Sequence, residues 1–242
     1  MKVAPKLVFL VKDPEGFSAA IYDSLQPTSD SILQRSEETF ELSLEQYGIK
    51  DQKACGNIAN FFDNNNLLQT TNPKHLKVSL LLVEYYEPPL LSCVVNEVLK
   101  SISGERLSST VSLILPYILP AAKLKCEDKN SFIINSRSSL YGFHTGPATE
   151  FTEDIIREAD KPPLSLQITY EPLACLLQLV QFFNISTAVL IGKRGVNEEQ
   201  EVLCEVGESL ASAFSLCFIK NRIKLNLGET VKQKEPWRAL YG

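Results

Sequence analysis

The chain has 242 residues, of which 44% are hydrophobic and 22% charged, with a formal net charge of -5. That length can bury a full core as one large domain or two small ones, and the composition is that of a soluble globular protein. The acidic balance and the lack of a Lys/Arg cluster argue against nucleic acid or acidic lipid as the main partner. No apolar run is long enough for a signal h-region or a membrane span.

Taken in chain order, Lys6 to Val11 is a branched apolar run stopped by Asp13-Pro14, which predicts a first, buried strand. Phe17 to Tyr22 reads as a weak continuation of the sheet. Residues 23 to 76 are polar and broken. Phe40, Leu44 and Tyr47 suggest a helix over Glu37 to Tyr47, and Asp63-Asn64-Asn65-Asn66 suggests a loop. Val78 to Val83 predicts a buried strand ending at Pro88-Pro89. Leu90, Leu91, Val94, Val95, Val98, Leu99 and Ile102 then recur at helical spacing up to Gly104, and Val111 to Leu115 predicts a strand closed by Pro116. Strand, helix, strand is the crossover unit of a parallel or mixed sheet. After a long irregular stretch, Leu173 to Phe183 forms a helical stripe and Thr187 to Ile191 a strand stopped by Gly192. Val202 to Phe214 forms a further amphipathic helix, and Ile219 to Leu227 closes the packed region. The expected fold is α/β: a single three-layer domain over residues 1–227, with a central mixed sheet flanked by helices. Residues 228–242 read as a mobile tether and tail.

The catalytic inventory is thin. His75 sits in a polar loop and His144 in a glycine-flanked turn, both expected as structural or solvated histidines. Gly192-Lys193-Arg194-Gly195 stands where a phosphate cradle would stand, between a strand and a helix. It reproduces no spacing with a known mechanism, so a charged turn with solvated cations is expected. Glu150, Glu153 and Asp154 read as the solvent face of a short helix that turns Phe151 and Ile155 inward. No nucleophile, base and oxyanion set assembles, and no metal or cofactor motif appears. Six scattered cysteines (Cys55, Cys93, Cys126, Cys175, Cys204, Cys217) suit buried reduced thiols in a cytosolic protein.

The end of the sequence is its most specific feature. Leu240-Tyr241-Gly242 sets an apolar side chain, a tyrosine and a carboxylate in a row, after a polar stretch from Gly228 to Pro236 that has no helical or strand period. Such a tail can plug a groove that has a lysine on its wall.

The helix Leu173-Ala174-Cys175-Leu176-Leu177-Gln178-Leu179-Val180-Gln181, the strand Ile185-Ser186-Thr187-Ala188-Val189-Leu190, the segment Leu216-Cys217-Phe218-Ile219-Lys220-Asn221 and the tail together resemble the proteasome assembly chaperone family, over about half the chain. Pro236-Trp237-Arg238 is also similar to the end of the sister chaperone, so either subunit of the pair is implied. The resemblance implies a fold like that of nucleoside phosphorylases without the enzymatic site. It implies a heterodimer with a sister chaperone, binding to the α-subunit ring of the proteasome, and insertion of Leu240, Tyr241 and Gly242 between α subunits. The location implied is the cytoplasm, with the nucleus open as well. The rival expectation is a nucleoside phosphorylase or hydrolase that uses His144 and the Gly192–Gly195 turn; a third is an interaction module with an idle tail.

Overall fold

Alternation along Lys6–Val11 (β1) buries Leu7, Phe9 and Val11 on one face and Val8 and Leu10 on the other, each at most 5% exposed. A strand covered on both faces belongs in the middle of a layered sheet. In the computed structural model, which describes residues 1–63, 76–104, 111–126, 140–195 and 198–226, it lies there. Among the described residues the main sheet has seven strands in the order β3-β4-β5-β1-β6-β10-β8. These are Leu33–Ser43 (β3), Lys53–Asp63 (β4), Leu76–Val83 (β5), Ser112–Pro120 (β6), Leu140–Thr145 (β8) and Thr187–Arg194 (β10). The centre is parallel, with β1 between β5 and β6 and β10 beside β6, whereas β4, β3 and β8 run antiparallel to their neighbours.

Helices cover both faces. Leu90–Ser103 (α2) and Glu171–Phe182 (α4) pack with Leu7, Phe9 and Val11. Phe17–Ser24 (α1), Glu150–Ile156 (α3) and Glu199–Phe214 (α5) pack with Val8 and Leu10. Two short pairs close the rim: Leu25–Pro27 (β2) with Leu216–Phe218 (β11), and Leu124–Cys126 (β7) with Leu166–Ile168 (β9). This is the three-layer α/β domain expected from the sequence. No helix among the described residues is long and apolar enough to cross a membrane.

The structure corrects four local expectations. Phe17 to Tyr22 is helical, because Asp13 accepts the Phe17 and Ser18 N–H groups at 3.0 and 2.8 Å and Gly16 turns the chain at φ 87°. Glu37 to Tyr47 is not a helix: Leu33–Ser43 pairs with Lys53–Asp63 as a hairpin, and only Glu45–Tyr47 coils, as a 3-10 turn. There Phe40 lies opposite Gly56, where a Cβ would come within 2.6 Å of the ring. Pro116 and Gly192 do not stop their strands either, since Leu190 and Gly192 of β10 pair with Pro116 and Ile118 of β6. Finally, the stretch between Pro116 and Glu171, read as irregular apart from the short helix at Glu150, contributes β8 and two short strands besides α3.

Pro116 is tolerated for a traceable reason. The Ser112 N–H reaches Pro5 on the β1 side, and the Leu113 N–H reaches Ser186 on the β10 side. By alternation the missing N–H of Pro116 falls on the β1 side. Pairing of β1 with β6 has ended there, at Val8 and Ile114. Beyond that pair the two central strands part.

Candidate functional site

The parting of β1 and β6 opens a crevice of about 370 Å³ at the carboxyl ends of the parallel strands. Chain direction explains its position. After β1 the chain turns to the face carrying α1, and after the neighbouring β5 it turns to the opposite face carrying α2. Such a reversal between β5 and β1 leaves room outside the ends of these strands, next to the parting of β1 from β6, the usual ligand position in open α/β sheets.

Four segments furnish the walls. The turn after β1 supplies Asp13 and Glu15, and the segment after β5 supplies Tyr85 and Tyr86. The far half of β6 supplies Tyr117, and the approach to α4 supplies Tyr170 and Glu171. Tyr86 is fixed, since its hydroxyl donates to the Lys53 carbonyl and accepts the Cys55 N–H, both at 2.8 Å, and burial pushes its phenol up to about 12. Tyr117 and Tyr170 meet edge to face at 5.9 Å. Burial first, then the charges of Asp13 and Glu15, holds the Tyr170 phenol well above its ordinary value. Tyr117 is only 7% exposed; burial, then Tyr170 and Asp13, raises its phenol as well, and its hydroxyl has no hydrogen-bond partner among the described residues.

Arg194 closes the crevice at the end of β10. Contrary to the expectation of a solvated cation, its side chain is 15% exposed, bridged to Glu15 at 2.9 Å and Glu199 at 3.6 Å, and lies over the Phe17 ring at 5.2 Å. The last described residues also reach this rim, where the Asn226 N–H donates to the Glu15 carbonyl at 2.9 Å.

The residues singled out from the sequence are scattered. Leu240, Tyr241 and Gly242 lie outside the described residues, as do His75 and all of 228–242. His144 is exposed on the edge strand β8, opposite Ala188. Arg194 is six residues further along β10, roughly 20 Å at the rise of a strand, so His144 and the Gly192–Gly195 turn share no pocket. Gly192 serves packing, because a Cβ there would meet Val202 Cγ1 at 2.6 Å. The Gly195 N–H, a candidate phosphate donor, is already taken by the Glu198 carboxylate at 3.0 Å. Glu150, Glu153 and Asp154 lie on α3 as expected, with Ile155 buried and Phe151 packed beneath them. Cys55, Cys93, Cys175, Cys204 and Cys217 are free thiols but half-buried rather than sequestered. No group of three or more His, Cys, Asp or Glu side chains suited to a metal occurs among the described residues.

The sequence reading missed Asp13, Tyr85, Tyr117, Tyr170 and Glu171. One signal was available: Asp13 and Tyr85 come two residues after strands already expected to be buried, and the second was expected to lie in a parallel or mixed sheet, where a crevice outside the strand ends is usual.

The fold is shared with solved proteins of distant sequence. One is a protein of unknown function from Corynebacterium glutamicum ATCC 13032 (TM-score 0.51, 10% identity, covering 90% of this chain and 77% of that one). Another is Pyrococcus furiosus PbaB, an archaeal proteasome activator (TM-score 0.50, 8% identity, 91% and 88%). PbaA of the same organism, an archaeal homolog of proteasome-assembly chaperone, aligns with a TM-score of 0.46 at 11% identity over 89% and 84%. At such identities the likeness is one of fold. The chain itself belongs to the family described as "Domain of unknown function (DUF7894)", whose model matches residues 1–242. No curated protein sequence matches it.

Proposed function

We propose that the protein is a proteasome assembly chaperone, one subunit of a pair with a sister chaperone. In this reading it binds the α-subunit ring and inserts Leu240, Tyr241 and Gly242 between α subunits. It thereby promotes ring assembly and blocks premature partners, in the cytoplasm and with access to the nucleus. The observation that carries the reading is a fold likeness spanning nearly all of this chain and of an archaeal proteasome activator, in a sequence that also holds an apolar-Tyr-Gly tail. Anchoring of the Asn226 N–H on Glu15 supports it, because the tether then starts from a fixed point on the domain. Ile32, Leu164 and Phe182, each more than half exposed, offer apolar contact surface for a sister subunit.

Purified α rings test the proposal. Deleting Leu240 to Gly242 should weaken binding while leaving the melting temperature unchanged. Tyr241→Ala should account for a large share of that loss, about thirtyfold for an aromatic anchor contributing about 2 kcal/mol. Equal retention of α rings by the truncated and full-length proteins at matched salt would remove the tail from the mechanism. Failure of the full chain to capture either α subunits or a sister chaperone would remove the function.

A further inference from the structure

We propose that the crevice between β1 and β6 is a binding site for a small organic ammonium, a protonated primary amine on a short apolar stem, separate from any role of the tail. Its lining suits that chemistry. Tyr85, Tyr117 and Tyr170 bring three aromatic rings to one cavity of about 370 Å³, large enough to take a small molecule whole. Tyr117 and Tyr170 stand edge to face with their planes at 66°, so they form a corner rather than a flat stack. Ring faces attract cations, and the attraction grows as water is excluded.

Charge points the same way. Asp13, Glu15 and Glu171 line the crevice against Lys123 and Arg194, and Arg194 is already held by Glu15 and by Glu199 from α5. Lining carboxylates thus outnumber lining cations three to two, and Asp13 contributes to raising both phenols. This excess of one carboxylate disfavours an anionic ligand and favours an ammonium.

Tyr117 supplies the specific contact. It lines the crevice and is 93% buried, and its hydroxyl has no hydrogen-bond partner among the described residues. A buried polar group left unpaired is unfavourable unless something else satisfies it. An ammonium N–H donated to the phenol oxygen does so, and it distinguishes a primary amine from a quaternary one, which has no N–H to give. Asp13 is not free to take over the contact entirely, since both its oxygens accept N–H groups of α1.

Calorimetric titration of the full chain with n-butylammonium, n-butanol and butyrate at fixed ionic strength tests the charge preference with one stem. Saturable one-to-one binding of butylammonium, with butanol weaker and butyrate weakest, is expected at millimolar concentrations. Tyr117→Phe removes only the unpartnered hydroxyl, so it should melt no lower than the parent yet bind butylammonium about tenfold more weakly, as for loss of one hydrogen bond to a charged group. Glu171→Gln, on the crevice wall, should weaken butylammonium and spare butanol. A parallel titration with Nα-acetyl-lysine methylamide tells a free amine from a lysyl side chain. Tighter binding of butylammonium assigns the site to a free amine, and tighter binding of the lysine derivative to a protein lysine, both within the ammonium chemistry. The proposal is overturned if butylammonium fails to saturate, if butanol or butyrate binds as tightly, or if Tyr117→Phe binds like the parent. None of these outcomes bears on α-ring capture, so the two readings fail separately.

Discussion

Replacing Gly192 with alanine should destabilise the domain although the backbone there suits any residue. The added Cβ would meet Val202 Cγ1 at 2.6 Å, Val206 Cγ2 at 3.1 Å and Ile118 Cγ1 at 3.4 Å. Val202 is a branched side chain on α5, confined to few rotamers, so it cannot swing aside as the end of a lysine would. Overpacking of this kind costs about 1–3 kcal/mol. Stiffening of the unfolded chain by alanine returns about 0.4–1 kcal/mol. The net loss, centred on about 1.3 kcal/mol, corresponds to a melting temperature lower by roughly 3–5 °C for a chain of this size. Thermal melting followed by circular dichroism reads it directly. Combining Gly192→Ala with Val202→Ala opens the space again, so the double variant should be less damaged than the sum of the two, by about 1 kcal/mol. An unchanged or raised melting temperature in Gly192→Ala, or strict additivity in the pair, would refute close packing as the reason for glycine at this position.

Thr149 accepts the Thr152 N–H at 3.2 Å while the Thr152 hydroxyl accepts the Thr149 N–H at 3.0 Å, a reciprocal cap on α3. Thr149→Ala should lower stability by about 1 kcal/mol in chemical denaturation, and no change would leave that cap without energetic weight. Tyr22, Tyr47 and Tyr86 are each pushed up to about 12 chiefly by burial, and Tyr117 and Tyr170 are raised as well. A phenol whose pKa is higher folded than unfolded adds stability that is complete below the unfolded value and lost as pH rises toward the folded one. The domain should therefore weaken between about pH 10 and 12. Phenolate absorbance should lag behind that of the urea-unfolded chain, and coincident titrations would contradict the burial of these rings.

The layered α/β architecture was legible because buried strands and one-face helices write their periods plainly. Lys6 to Val11, Val78 to Val83, and the stripes from Leu90 to Ile102 and from Val202 to Phe214 all stand where the residue pattern puts them. The hairpin β3–β4 was hidden because β3 is an edge strand with little apolar content, and Phe40, Leu44 and Tyr47 happen to fall at helical spacing. Helix α1 was hidden for the opposite reason. Six of its eight residues are buried, so no polar stripe betrays the turn. Pro116 and Gly192 read as stops because their roles depend on neighbours: a strand that has parted company on one side, and a helix that presses on the other. The crevice was illegible in the same sense, since Asp13, Tyr85, Tyr117 and Tyr170 meet only once the strand order is known.

Placing β1 at the centre of the sheet also sets a schedule for the growing chain. Leu7 waits for Ser79 on one side and Leu113 on the other. The first of these lies 72 residues downstream (79 − 7), which a ribosome adding roughly 5–20 residues per second reaches after roughly 4–14 seconds. Throughout that interval Leu7-Val8-Phe9-Leu10-Val11 has no β5 or β6 to pair with, although it is among the most water-averse stretches of the chain. Until β5 and β6 have been made, copies of this stretch can stick to one another, and factors that hold it apart during that interval should raise the yield of folded protein.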